Sequence, residues 1–375
     1  MPTLPTALYI HLPWCLTKCP YCDFHSLPAS IFPEEAYTKA LIEDLKAAVA
    51  QHGPKPLLSI FFGGGTPSLF SPASLGFLID AIHRYFPLTT YCEITLEANP
   101  GTFEQHKWQD FYQAGINRLS IGVQSFNDDC LKKLGRIHSG QEAKNAIAKA
   151  LAIFPEVNID LMYGLPGQSV SDFRKDLQTA LAFSTPHISY YQLTLEPQTI
   201  FGKNPPKLPF DDHIATMEEM LWQSMEEAGY EHYEISNYAQ KGHYCQHNCN
   251  YWTFGDYFGI GAGAHGKITS DHGVCREERI KNPKNYITQE KKIAECLYPQ
   301  GKDLVFEFML NALRLKEGVP LAFFQERTGI PFSTLDAPIK KAQDLGLLIQ
   351  HSDRIQPTPK GFLFLNDLLG LFSPA

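Results

Sequence analysis

The chain has 375 residues, of which 44% are hydrophobic and 19% charged, so it can bury a large core and is unlike a disordered chain. Its net charge of -8 argues against broad nucleic-acid binding, which usually requires a basic surface. The N-terminal residues do not form a secretory signal, and no uncharged apolar run reaches the roughly 18 residues that span a bilayer. We therefore expect a soluble, cytoplasmic protein.

Short β-rich runs alternate with amphipathic helical stretches in the first half of the chain. The predicted strands are residues 7–11, 57–62, 91–97, 118–124, 157–163 and 187–195. The predicted helices are residues 33–50, 72–86, 103–114, 140–154 and 169–183. This alternation indicates an α/β fold with a parallel sheet covered by helices. Six units are too few for a closed eight-stranded barrel, so we predict an incomplete, TIM-like (β/α)6 barrel, with an open doubly wound sheet as the alternative.

The pattern changes after about residue 205. A predicted helix at residues 211–228 precedes a segment, 230–266, that is rich in aromatic residues, glycine and histidine. Predicted helices at 303–316, 321–328 and 334–345, with β-like segments at 347–350 and 354–357, are typical of a winged-helix-like module. We therefore predict a barrel over residues 1–205, an extension over 206–300 and a small, mostly helical C-terminal domain over 301–375.

Three cysteines lie close together directly after the first predicted strand. Cys15, Cys19 and Cys22 have the spacing C-x3-C-x2-C. Three thiolates on one tight loop can ligate three irons of a [4Fe–4S] cluster, whereas a cluster held by four protein ligands normally needs a fourth cysteine. Position 24 is Phe24, so one iron would keep an open coordination site. The amino and carboxylate groups of S-adenosylmethionine could bind that iron.

Zinc is the alternative metal for this loop. Zinc sites usually combine a C-x2-C pair with a second such pair, and the sequence has none. Cys245, His247 and Cys249 form the other dense cluster, but their spacing fits no common zinc finger. The chain has nine cysteines, an odd number, and in a reducing compartment this pattern favours metal ligation over disulfides. We therefore favour an iron–sulfur cluster.

The cysteine triplet, with Tyr21 and Phe24, resembles the signature of the radical S-adenosylmethionine superfamily. The stretch Tyr-Ile-His-Leu-Pro-Trp-Cys at residues 9–15 is similar to the oxygen-independent coproporphyrinogen III oxidase group. The resemblance implies that Arg136 pairs with the methionyl carboxylate and that the glycine-rich stretch at 63–66 receives the amino group. The S-adenosylmethionine contacts that it implies are Tyr9, Tyr21, Gly64, Gly65, Thr66, Glu97, Gln124, Arg136 and Asp160.

Two features separate this chain from the oxidases of that group. The oxidases carry a fourth cysteine where this chain has Phe24, and an N-terminal extension before the first strand. The pattern His-Asn-x-x-Tyr-Trp at residues 247–252 instead resembles the haem chaperone branch. His247 could supply an axial imidazole to haem iron, and the flanking Cys245 and Cys249 a thiolate. The alternative is a core histidine held by hydrogen bonds.

The resemblance implies two functions of different classes. The first is a haem chaperone that carries haem to apo-haemoproteins, with delivery at a membrane surface and dimerisation as further expectations. The second is an enzyme that decarboxylates coproporphyrinogen III to protoporphyrinogen IX, which Phe24 disfavours. A radical enzyme acting on transfer RNA is a third alternative, and the acidic charge argues against it and against nucleic-acid partners generally.

Overall fold

The computed structural model describes residues 4–374, apart from the side chains at positions 102 and 103. The described residues form a twelve-stranded sheet as the main element of the fold. Its strands are, in chain order, β1 (Thr6–Leu12), β2 (Leu57–Gly64), β3 (Leu88–Ala98), β4 (Arg118–Gln124), β5 (Glu156–Tyr163), β6 (His187–Gln192), β7 (Glu231–Glu234), β8 (Asn237–Ala239), β9 (Asp256–Ile260), β10 (His265–Ser270), β11 (Gly273–Arg279) and β12 (Ile293–Leu297). Across the sheet they lie in the order β12-β11-β10-β9-β1-β2-β3-β4-β5-β6-β8-β7.

Strands β1 to β6 are parallel neighbours, and each follows the previous one in the chain. The longer helices that accompany the sheet are α1 (Glu34–His52), α2 (Pro72–Tyr85), α3 (Gly140–Leu151), α4 (Val170–Ala182) and α5 (Asp211–Glu227). Strand β1 pairs on its other side with β9 and not with β6, so the barrel does not close. The prediction of an incomplete barrel of six parallel strands is therefore confirmed.

Local sequence signals explain where several of these helices begin. Ser71 accepts a hydrogen bond from the backbone N–H of Ser74, and proline occupies the first position of α2. Ser139 and Ser169 each form a capping box, with Glu142 in α3 and an aspartate at the matching position of α4. These caps fix the helix starts and hence the lengths of the βα connections at the edge of the sheet.

Shorter helices fill the connections and the region after the barrel. They are Pro67–Leu69, Thr102–Gln105, Trp108–Gln113, Asp128–Lys133, Ile200–Lys203, α6 (Gln246–Trp252) and Pro283–Thr288. The predicted helix at 103–114 is thus two short helices. No strand is predicted from the sequence between 206 and 300, yet this segment supplies β7 to β12 and extends both edges of the sheet.

The last part of the chain forms its own small hydrophobic core. Its helices are α7 (Gly301–Ala312), Leu321–Thr328, Phe332–Leu335, Asp336–Asp344, Pro359–Leu363 and Leu365–Gly370. The predicted β-like pair appears as Leu348–Gln350 and Arg354–Pro357, joined by a short third strand, Val319–Pro320. Phe254 and Val274 from the preceding segment also pack into this core. The division of the chain at residues 205 and 300 stays a prediction.

Candidate functional site

The cysteine loop connects β1 to α1 and is held by its own backbone hydrogen bonds. Trp14–Cys15 pairs as a two-residue strand with Leu27–Pro28. The N–H of Cys22 donates to the carbonyl of Cys19 at 3.1 Å. Burial raises the pKa of the Cys15 and Cys22 thiols, and the neighbouring cysteines raise it further. This electrostatic interaction shows that the fold brings the three thiols together.

The glycine-rich loop after β2 lies against the backbone that leads into Cys15. Gly64 has a φ of +120°, and a Cβ there would lie 2.7 Å from the His11 ring. A Cβ on Gly65 would overlap the backbone oxygen of Trp14, which cannot move aside. The N–H of Thr66 donates to the same oxygen at 2.7 Å. Only glycine therefore allows this loop to approach the cysteine loop so closely.

Arg136 connects the cysteine loop to the ends of the parallel strands. Its Nη2 donates to the Asn99 side-chain oxygen at 2.6 Å and to the Gly122 carbonyl at 2.5 Å. Its Nη1 lies 3.8 Å from the Cys19 sulfur. The Asn99 side chain in turn donates to the Thr66 hydroxyl at 3.0 Å. Sequence reasoning missed Asn99, although its place directly after β3 was a usable signal.

Gln124 and Tyr21 lie in the same neighbourhood as Arg136. A Cβ on Gly122 would be 3.1 Å from Gln124 Nε2 and 3.4 Å from Arg136 Nη2, which places these two side chains together. Gln124 adopts a φ of +68°, an uncommon conformation for a residue with a side chain. Burial raises the pKa of the Tyr21 phenol. The charge of Arg136 lowers this pKa, and Cys19 raises it.

Two partly buried carboxyl groups, those of Glu97 on β3 and Asp160 on β5, lie close enough for their charges to interact. Burial, together with the charge of Asp160, raises the pKa of Glu97 to about 8. Glu97 accepts a hydrogen bond from the N–H of Gly64 at 3.1 Å. Asp160 accepts one from Ser120 at 3.0 Å, and burial raises its pKa too. A cationic group entering here would stabilise the ionised form of Glu97.

Tyr9 completes this group of predicted contact residues. Its hydroxyl lies 3.0 Å from His11 Nδ1. Burial is the main cause of the raised pKa of Tyr9, and the charge of Glu97 raises that pKa further. A Cβ on Gly63 would lie 2.9 Å from the Tyr9 ring. Tyr9 therefore lies close to both the glycine-rich loop and Glu97.

His247 is held by hydrogen bonds inside the barrel. Its Nδ1 lies 2.9 Å from the Ser59 hydroxyl and its Nε2 lies 2.9 Å from the Tyr251 hydroxyl. The residue is 1% exposed and its ring stacks on Phe61 at 4.9 Å. Burial lowers its pKa to about 3, so the ring is neutral and uses both nitrogens in hydrogen bonds. Both nitrogens are thus engaged in hydrogen bonds in this structure, and haem ligation by His247 stays a prediction.

The two cysteines beside His247 are also enclosed. Cys245 is buried, and its thiol donates to the Glu93 carboxylate at 3.5 Å. Burial raises the pKa of the Cys245 thiol, and it raises that of Cys249 to about 12. Neither thiol therefore ionises readily near neutral pH. Cys249 is half-buried and stays a candidate haem ligand from the sequence alone.

Helix α6, which carries the His-Asn-x-x-Tyr-Trp motif, packs near the amino ends of the barrel strands. The Glu93 carboxylate accepts hydrogen bonds from the first N–H groups of α6, those of Gln246 at 3.0 Å and His247 at 3.2 Å. Arg118, the first residue of β4, lies 3.8 Å from the same carboxylate. The S-adenosylmethionine candidates instead lie at the carboxyl ends of the strands. His247 reaches from this end into the barrel, where its ring centroid lies 6.4 Å from that of Tyr9.

Comparison with known proteins decides the family. The radical SAM superfamily matches residues 9–180, and the HemN C-terminal domain matches residues 300–364. The heme chaperone HemW of Haemophilus influenzae is 46% identical, with 99% of each chain covered. The HemW of Escherichia coli is 44% identical, with 98% of each chain covered. This chain belongs to the HemW family of radical SAM proteins.

The family also has mitochondrial members, and its fold is shared with an oxidase. The zebrafish (Danio rerio) radical S-adenosyl methionine domain-containing protein 1 is 35% identical over 84% of this chain. The coproporphyrinogen III oxidase HemN of Escherichia coli superposes with a TM-score of 0.83 at 21% identity, covering all of this chain and 91% of that one. At this identity the likeness to HemN shows a common fold. Among the described residues, no helix is both long and apolar enough to cross a membrane.

Family membership implies a [4Fe–4S] cluster and S-adenosylmethionine, and the residues of this chain fit both. Three thiols on one loop are the donor set that iron–sulfur clusters prefer. The loop at Gly64 and Gly65 leaves no space for a Cβ and brings backbone groups up to the cysteine loop. Arg136 and the partly buried Glu97 offer a cation for a carboxylate and a carboxylate for an amine.

Proposed function

We propose that this protein binds haem and transfers it to apo-haemoproteins. The observation that supports this most is the full-length similarity to heme chaperones, at 46% and 44% identity. Phe24 adds to it, because the oxidases that resemble this chain have a fourth cysteine at that place. The Phe24 side chain is 61% exposed at the edge of the cysteine loop. It is therefore an apolar surface group and no metal ligand.

We infer that the cluster is bound by Cys15, Cys19 and Cys22. S-adenosylmethionine would then lie between the cysteine loop and the strand ends, in contact with Tyr9, Tyr21, Gly64, Gly65, Thr66, Glu97, Gln124, Arg136 and Asp160. Such a cluster supplies single electrons to the sulfonium of S-adenosylmethionine. Arg136 holds the cofactor carboxylate by its fork of N–H donors, and Glu97 accepts from the amine or a hydroxyl. Asn99 keeps Arg136 in place through its 2.6 Å hydrogen bond.

The oxidase activity is the second candidate, because this chain shares the HemN fold with a TM-score of 0.83. A porphyrinogen would then enter at the carboxyl ends of the strands, near the partly buried carboxyl groups of Glu97 and Asp160. Phe24 and the haem chaperone relatives favour the carrier instead. We place the carrier in the cytoplasm, where a reducing environment keeps the cysteines out of disulfides. Apo-haemoproteins are the proposed clients, while membrane delivery and dimerisation stay predictions.

Anaerobic reconstitution followed by two assays tests this proposal. In the first, haem is titrated into the reconstituted protein, the Soret band is followed, and transfer to an apo-cytochrome is then measured. In the second, the same preparation receives coproporphyrinogen III, S-adenosylmethionine and a reductant, and protoporphyrin is measured after oxidation. The carrier predicts a saturable Soret shift, haem transfer and no turnover. Turnover without stable haem uptake would replace the carrier by the oxidase.

A further inference from the structure

A small cleft lies where helix α6, strands β9 to β11 and helix α7 meet. Its volume is about 170 Å³. It is lined by Tyr251, Trp252, Phe254, Gly255, Tyr257, Lys267, Arg276 and Asn311. An engineered apolar cavity of about 150 Å³ is large enough for benzene, so one ring fits here. The cleft is distinct from the S-adenosylmethionine site, which lies at the carboxyl ends of the strands.

The residues of the α6 motif lie in two different environments. His247 is bound inside the barrel, whereas Tyr251 and Trp252 line the cleft. With Phe254 and Tyr257 they form aromatic walls, and the Tyr251 and Tyr257 rings meet edge to face at 4.5 Å. The indole Nε1 of Trp252 is buried without a hydrogen-bond partner among the described residues. A buried donor of this kind is costly unless an acceptor reaches it.

Arg276 supplies positive charge at the wall of the cleft. Its Nη1 donates to the Tyr257 hydroxyl at 3.0 Å, and its Nε and Nη2 donate to Glu307 at 2.9 and 2.7 Å. A guanidinium has five N–H donors, so these bonds engage three of them. The side chain is 24% exposed, so its remaining donors can meet an incoming anion. A flat ligand with a carboxylate matches this arrangement.

The surroundings of the cleft hold further cations. Lys267, on β10, donates to the Asp256 carboxylate at 3.1 Å. Lys55 binds the other oxygen of the same carboxylate at 2.7 Å. Burial lowers the pKa of Lys267 to about 8 although Asp256 opposes it, and the charges of Arg276 and Arg327 lower it further. The repulsion between Lys267 and the two arginines makes this site electropositive. An added carboxylate would reduce that repulsion.

We propose that this cleft binds one propionate-bearing edge of haem, with Arg276 and Trp252 donating to the carboxylate. This inference rests on the proposed haem-carrier function and specifies where the cargo is bound. One pyrrole ring lies between the aromatic walls, and the remainder of the macrocycle extends out of the cleft. The propionate shares Arg276 with Glu307 and provides the acceptor for the Trp252 Nε1–H. Haem would therefore be recognised at the end of the barrel remote from the cluster.

The experiment compares haem with its dimethyl ester, in which both propionates are neutral. Affinities for each are measured by Soret titration with the reconstituted full chain and its Arg276→Gln variant. A lost charge-assisted hydrogen bond weakens haem binding by about tenfold or more, while the ester binds both proteins equally. Lys281→Gln is the matched control, because Lys281 follows the same strand, is exposed, and pairs with Glu278 outside the cleft. The control variant binds haem as the unaltered protein does.

A second variant covers the risk that loss of the Arg276–Glu307 pair disturbs folding. Trp252→Phe keeps an aromatic wall and removes only the Nε1–H donor, so haem affinity falls severalfold and ester affinity does not. Trp222→Phe, in α5, is its control. Equal haem affinity in the unaltered protein and both cleft variants, or an equal loss for haem and ester, would overturn the cleft assignment while leaving the carrier intact. An unaltered protein that binds no haem would refute the carrier and the cleft together.

Discussion

Replacing His247 with alanine should destabilise the fold severely, whether or not haem is present. The change removes the partners of the Ser59 and Tyr251 hydroxyls, and the buried Ser59 hydroxyl costs about 1–3 kcal/mol when it is left unpaired. It also removes the ring that stacks on Phe61, which leaves a cavity. We expect the free energy of unfolding to fall by about 3–5 kcal/mol in total, in the range of aromatic-to-alanine changes in cores.

Urea unfolding followed by far-ultraviolet circular dichroism measures this loss. For a slope of about 3 kcal/mol per molar urea, the midpoint falls by about 1 M or more. His272→Ala is the matched control, because His272 is exposed in the turn between β10 and β11 and its midpoint should not change. A His247→Ala protein as stable as the unaltered chain, but unable to bind haem, would show that the ring is a haem ligand after all.

Three further predictions follow from the same structure. Gly65→Ala places a Cβ against the Trp14 backbone and should abolish S-adenosylmethionine binding in equilibrium dialysis while iron content is kept. Arg136→Lys cannot reproduce the fork to Asn99 and the cofactor, so S-adenosylmethionine affinity should fall about tenfold or more, measured the same way. Burial lowers the pKa of His247 to about 3, below the ordinary value of about 6.5 in the unfolded chain. Its contribution to stability is therefore complete above pH 6.5 and is lost as the pH falls towards 3, by up to about 1.4 kcal/mol per pH unit, which urea midpoints at several pH values would detect. A midpoint in His247→Ala with the same acid dependence as in the unaltered chain would contradict this attribution.

The barrel and the cysteine loop could be predicted because their signals are local. Cys15, Cys19 and Cys22 lie within eight residues, and each parallel strand is a short apolar run bounded by a helix. Because carboxyl ends of parallel strands share one edge, the strand pattern alone is enough to group residues such as Glu97 and Asp160. Which atoms meet there, as in the contact of Arg136 with Asn99, depends on side-chain geometry that strand patterns do not encode.

The region after the barrel was harder to predict for a physical reason. Strands β7 to β12 are short, and they join the sheet only where β8 pairs with β6 and β9 pairs with β1, both distant in the chain, so their stability depends on the partner strand more than on the local sequence. The motif at residues 247–252 indicated a candidate haem-binding region. Its spacing alone gave no information on which residue faces the barrel and which faces the cleft. In the structure His247 is buried, whereas Tyr251 and Trp252 are partly exposed and line the cleft.

Iron and sulfide analysis of anaerobically reconstituted protein tests the central claim, that one loop of three thiols holds the cluster. The unaltered chain should bind about four iron and four sulfide ions, and the variant with Cys15, Cys19 and Cys22 all replaced by serine should lose them. Replacing Cys275 and Cys296, which lie on the neighbouring strands β11 and β12, should leave the content unchanged. Full iron and sulfide in the triple variant would contradict the account.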